Sequence, residues 1–192
     1  MDPSKTDRRV KYTKKLLTDS LVGLLKHRHI SSITVKELCE LADINRSTFY
    51  THYRDAVDLL IQIEAEVYEN IKRHVEKQDY KEEALPVSQQ MLTSILEYAK
   101  GNAELFIALL SENCDFAFQK SILELSEVIS SRNTFDVDAR IKNYIKTFSI
   151  AGCISLFQEW LKSGAIESPA WIAGVTFRFM QDGVAAFLPT DA

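Results

Sequence analysis

Between residues 8 and 28, Leu17, Leu21, Leu24 and Leu25 recur at intervals of three and four, with Val10 and Leu16 beside them and Lys11, Lys14, Lys15 and Lys26 opposite. That spacing predicts an amphipathic helix with one buried stripe. The stretch "HRHISSIT" breaks the pattern, which restarts at Thr34. Thr34 and Glu37 form a T-x-x-E capping box ahead of an apolar run, predicting a helix that ends near Ala42. Asn45 is a suitable N-cap for a second short helix through Tyr53. The chain therefore offers two helices of about eight residues joined by a tight turn.

Asp55 can cap a longer helix over 55–78, in which Leu60, Ile63, Val67, Ile71 and Val75 keep helical spacing over roughly 36 Å. After a break at 79–86, helical patterns cover 86–100, 102–112, 114–131, 137–163 and 168–187, the last opened by Ser168 as N-cap and Pro169 at the first helical position. With 6 Gly, 4 Pro and no alternating β-branched run, the pattern is all-α with about nine helices. The expected organisation is a three-helix helix-turn-helix domain over 1–54, then a second helical domain over 55–192, in which 55–78 is the connecting helix.

The net charge of −4 hides an asymmetry. Up to Asp55 there are 11 Lys and Arg against 7 Asp and Glu, a balance of +4, and the remaining 137 residues carry 12 against 20, or −8. A basic N-terminal piece on an acidic body is the distribution expected if only that piece meets a polyanion. The longest apolar run, 169–177, is far short of the roughly 18 to 20 residues of a membrane span. The basic N-terminus lacks a secretory h-region, so a cytoplasmic protein is expected. Cys39, Cys114 and Cys153 lie far apart without metal-site spacing and read as small core residues. His27, His29, His52 and His74 make no ligand set, and no phosphate loop, nucleophile elbow or HExxH occurs, so neither catalysis, metal nor cofactor is expected.

On the short helices, Ile33, Val35, Leu38, Leu41, Ile44, Phe49 and Tyr53 would form the small core that fixes the angle between them, with Cys39 permitting close approach. Arg46, Ser47, Thr48, Tyr50, Thr51 and His52 remain outside, with no acidic residue from Ile44 to Tyr53. Arg can read guanine bidentately, and Ser and Thr reach bases or phosphates. A solvated helix face is the plainer alternative. On the DNA reading Arg46, Ser47, Thr48 and Thr51 read bases, while Thr34, Lys36, Tyr50, His52 and Tyr53 hold the backbone.

The stretch "ITVKELCELADINRSTFYTHYRDAVDLL" resembles the DNA-binding signature of the TetR family of bacterial transcriptional regulators. Thr34, Leu38, Cys39, Ala42, Ile44, Asn45, Thr48, Phe49, Tyr50, His52 and Tyr53 occupy the family positions. Two departures stand out. The usual turn glycine is Asp43, and the lysine that often follows the recognition helix is Ala56, whose phosphate contact Arg54 could assume. The resemblance implies a homodimer on a palindromic DNA operator, often released by a small effector bound in the C-terminal domain.

The stretch "IAGCISLFQEWLKSGAIESPAWIAG" resembles the last two helices of one C-terminal subtype of that family. Both helices are apolar over more than one face, which predicts pairing with their symmetry mates. Phe106, Phe116, Phe118, Tyr144, Phe148 and Trp160, with Asn113, Gln119 and Gln158, could line a pocket for a small apolar or aromatic effector. The expected function is a dimeric, effector-released repressor. The alternative is an all-helical protein-interaction module that uses its apolar C-terminal helices.

Overall fold

The structure is a computed structural model that describes residues 3–77, 87–114, 118–119, 121 and 138–182. Among the described residues there are α-helices, one 3-10 turn and no strand. The helices are α1 (Pro3–Leu25), α2 (Val35–Ala42), α3 (Arg46–Tyr50), α4 (Ala56–Lys77), α5 (Val87–Gly101), α6 (Ala103–Leu109), α7 (Ala139–Lys162) and α8 (Pro169–Asp182). None of the described helices is long and apolar enough to cross a membrane. The chain divides into two compact units, Met1–Glu69 with Ala108–Phe118, and Asn70–Ile107 with Gln119–Ala192.

In the first unit, Leu17, Leu21 and Leu25 of α1, Ile30, Leu38 of α2, Phe49 of α3 and Leu59 and Leu60 of α4 are almost wholly buried. Of the predicted α1 stripe, Leu17, Leu21 and Leu25 are thus the core face and Leu24 is half-buried, and α2 packs on both α1 and α3. Helix α1 begins at Pro3, earlier than the apolar stripe announced, and "HRHISSIT" contains a 3-10 turn at Ile30–Ser32.

The capping box forms as its residues predict. Thr34 Oγ1 accepts from the Glu37 amide, while Glu37 Oε2 accepts from the Thr34 amide at 3.0 Å. Asp43 ends α2 in the left-handed conformation, φ 52° and ψ 47°, which Asp tolerates better than most residues.

Helix α3 is shorter than expected. Asn45 Oδ1 accepts from the Ser47 amide at 2.9 Å to start it, but Thr51 Oγ1 donates to the Thr48 carbonyl at 2.6 Å, and residues 51–52 form a turn. Leu41, expected in the small core, is 61 % exposed; α2 turns Leu38, Cys39 and Ala42 inward instead. Asp55 caps α4, its Oδ1 accepting from the Asp58 amide at 2.8 Å.

In the second unit α8 packs along α5, burying Ile172, Ala173 and Thr176 on one side and Ser94, Leu96 and Ala99 on the other. Asp138 caps α7 by accepting from the Arg140 amide at 2.8 Å. The turn between α7 and α8 places Gly164 at φ 91° and Ala165 at φ 49°. Lys100 Nζ donates to the Ala165 carbonyl at 2.6 Å and lies 5.9 Å from the centroid of the Trp160 ring. Trp160 Nε1 donates to the Glu167 carbonyl at 3.2 Å, so α5 and the end of α7 hold the turn from two sides. Most of the helix expected at 114–131, and the end of the last at 183–187, lie outside the described residues.

Candidate nucleic-acid interface

Helix α3 presents its side chains by anchoring one of them. Phe49 is fully buried, edge-on to Tyr50 at 5.6 Å and tilted against Tyr53 at 5.5 Å between ring centroids. With Phe49 fixed inward, Arg46, Ser47, Tyr50 and Thr51 face solvent, and Thr48 and His52 are half-buried. These six of the residues expected to meet DNA share one short surface. Thr34 and Lys36 are exposed on the first turn of α2.

Tyr53 is a correction. It is 5 % exposed and belongs to the core, so it is not placed to hold a phosphate. Burial raises its phenol pKa, with Glu66 and Asp58 adding to the effect. Tyr53 also borders a cavity of about 260 Å³ shared with Lys14, Thr18, Gln62 and Glu66. Tyr is amphipathic, and its helical position alone does not say which end is wet.

The electrostatics of the surface are set by ion pairs between neighbours. Arg28 Nη2 donates to Glu37 Oε1 at 2.9 Å, a pairing that spacing could not reveal because the two lie on either side of a loop. The Thr34 hydroxyl and amide, and then Arg28, hold the Glu37 carboxyl at about 2, below its ordinary 4.5. Lys36 Nζ lies 3.9 Å from Glu40. Arg54, a possible stand-in for the family's lysine at position 56, is engaged with Asp58: its backbone amide donates to Oδ2 at 2.9 Å and its Nη2 to Oδ1 at 3.2 Å. That pairing lowers the Asp58 pKa. Cys39, beneath the helices, has its thiol pKa raised by burial.

The aromatic set expected around an effector divides by exposure. Phe106 and Trp160 are buried, Phe106 edge-on to Tyr98 and Trp160 beside Lys100. Tyr144 and Phe148 are instead 70 % and 83 % exposed on α7, and Phe116 lies outside the described residues. Asn113, assigned to the pocket, is bonded to the end of α1. Aromatic residues at helical spacing fit a core, a pocket or an interface equally well.

Comparison with known proteins fixes the family. The model TetR_C_8, for the transcriptional regulator C-terminal region, matches residues 87–182, half of the chain. The chain belongs to the TetR family of transcriptional regulators. Its fold is that of TetR regulators of known structure. One from Streptococcus agalactiae 2603V is 20 % identical, with a TM-score of 0.62 over 93 % of this chain and 99 % of that one. NalD, the secondary repressor of the MexAB-OprM multidrug efflux pump in Pseudomonas aeruginosa, is 17 % identical, with a TM-score of 0.55 over 90 % and 97 %. FadR from Bacillus subtilis, solved with stearoyl-CoA, is 13 % identical, with a TM-score of 0.56 over 88 % and 98 %. No curated protein sequence matches significantly. Against the TetR pattern, Asp43 supplies the left-handed turn residue that is usually glycine.

Proposed function

We propose that this TetR-family protein is a homodimeric, sequence-specific repressor that binds a palindromic DNA operator and is released by a small apolar or aromatic effector. Residues 1–54 serve as the DNA-binding domain and 55–192 as the regulatory and dimerisation domain. The observation that carries the reading is the α3 face, where Arg46, Ser47 and Thr51 project around a fully buried Phe49 and no acidic residue occurs from Ile44 to Tyr53. Arg46, Ser47, Thr48 and Thr51 read base edges, and Thr34, Lys36, Tyr50 and His52 hold phosphates.

Homodimer formation draws on a second observation. Ile141, Tyr144, Ile145 and Phe148 are exposed along one stripe of α7, continued by Ala151, Gly152 and Ser155, with Trp171 and Phe179 exposed on α8. An apolar stripe of this length suits a partner helix. A two-fold pairing suits a palindrome whose half-sites lie roughly 34 Å, one DNA turn, apart. The effector rests on the family and on the acyl-CoA held by the similar FadR. Its binding alters the inclination of α4 and so the spacing of the reading helices.

Selection of bound duplexes from a random DNA pool tests the whole. Enrichment of a palindrome, retention that weakens steeply with salt, and loss of about 1–3 kcal/mol on Arg46→Ala are expected. The same exposed α7 stripe favours one second reading, a protein-interaction module without DNA binding. Absence of any enriched duplex would leave that reading standing.

A further inference from the structure

The first compact unit includes a segment remote in sequence, Ala108–Phe118, which meets the chain at the end of α1 and the 3-10 turn after it. Asn113 lies at its centre. Its Nδ2 donates to the Leu25 carbonyl at 2.8 Å, across 88 residues, and its own carbonyl accepts from the Ile30 amide at 2.9 Å. Leu25 is the last residue of α1, and its carbonyl is one of those that a helix leaves without an internal partner. Asn113 therefore caps α1 with its side chain and fixes the following 3-10 turn with its backbone.

Residues 108–114 are themselves held in place. The Asn113 amide donates to Ser111 Oγ at 3.3 Å, Ser111 Oγ donates to the Ala108 carbonyl at 2.7 Å, and Leu109, Leu110 and Cys114 are buried.

Between the two points that Asn113 holds lies Arg28. Its guanidinium reaches Glu37 Oε1 at 2.9 Å, and Glu37 Oε2 in turn accepts from the Thr34 hydroxyl at 2.8 Å. The two bonds of Asn113 thus hold the ends of the backbone that carries Arg28, and the Arg28–Glu37–Thr34 bonds lead on to the N-terminus of α2, the helix that packs on α3.

We infer that Asn113 is a positioning residue for DNA recognition: it touches no DNA, but by pinning residues 25–30 it places Arg28 on Glu37 and so sets α2 and α3 for the duplex. The inference rests on the DNA-binding reading given above. It differs in where the control lies, because the constraint comes from a segment after α6 and not from α4.

The test uses the full chain and its selected duplex. Asn113→Asp keeps the shape and the backbone bond, but sets a carboxylate oxygen against the Leu25 carbonyl. Duplex affinity of the folded protein should fall roughly tenfold. The slope of log affinity against log salt should stay as in the parent, because no phosphate contact is removed, whereas Lys36→Ala should lower it by about one. Arg28→Gln, at a part-exposed site, breaks the Arg28–Glu37 contact that Asn113 is inferred to place, and guards against an Asn113 variant that fails to fold.

The double variant should bind no more weakly than the worse single one. Parent-like affinity in both single variants, with the helical spectrum intact, would overturn the inference while leaving DNA binding by the parent untouched. So would losses that multiply in the double variant. Failure of the parent to bind any duplex would strike the functional reading itself.

Discussion

Thr34 and Glu37 close one turn of α2 on each other, the carboxylate accepting from the Thr34 amide and hydroxyl at 3.0 and 2.8 Å while Thr34 Oγ1 takes the Glu37 amide at 3.3 Å. Thr34→Ala removes the hydroxyl from this arrangement. Loss of an N-cap of this kind should lower the melting temperature by roughly 2–4 °C in a chain of this size. Scanning calorimetry on the variant checks it, and an unchanged melting temperature would refute it.

Acid should find the same pair. The Glu37 carboxyl sits at about 2 in the folded chain against an ordinary 4.5. Its contribution to stability is therefore whole at neutral pH and is lost as the pH falls from about 4.5 towards about 2. Urea midpoints of the parent and Glu37→Gln should differ at neutral pH and converge over that interval. A gap that stays constant through it would count against the assignment.

Asp43 carries a left-handed backbone at φ 52°. Asp43→Gly relieves the strain and should stabilise by about 1 kcal/mol, whereas Asp43→Val should cost about 1–2 kcal/mol. Thermal denaturation of the two variants side by side is the measurement, and the same sign in both would be fatal to it.

Phe148 is 83 % exposed, so a charge there has little to disturb within one chain. Phe148→Glu should leave the helical spectrum intact and yield the mass of a single chain in sedimentation at micromolar concentration. Persistence of the dimer would remove α7 from the proposed interface.

Local chemistry was the part most legible in the sequence. The capping box at Thr34 and the Asn45 and Asp55 caps each depend on neighbours within four residues, and each forms as its residue types dictate; the left-handed turn at Asp43 follows only from the family resemblance. Leu41 shows the limit of that reading. Its spacing suits a buried stripe, but only the direction from which α1 and α3 approach α2 decides which side of an eight-residue helix is covered. Tyr144 and Phe148, expected at a pocket, lie exposed on α7 for a related reason, since aromatic spacing does not name the surface it meets. The contacts of Arg28 and Asn113 gave no signal, Asn113 reading as a pocket residue, because their partners lie across a loop and 88 residues away.

Five residues make up α3, far fewer than the roughly 12 to 15 at which an isolated helix begins to hold in water. Its shape is lent by Phe49, wedged into the core below, and by the two caps at Asn45 and Thr51. If α3 reads DNA as proposed, that surface has no stability of its own: warming that loosens Phe49 erases it at the same temperature, so operator affinity and tertiary packing should vanish along one curve.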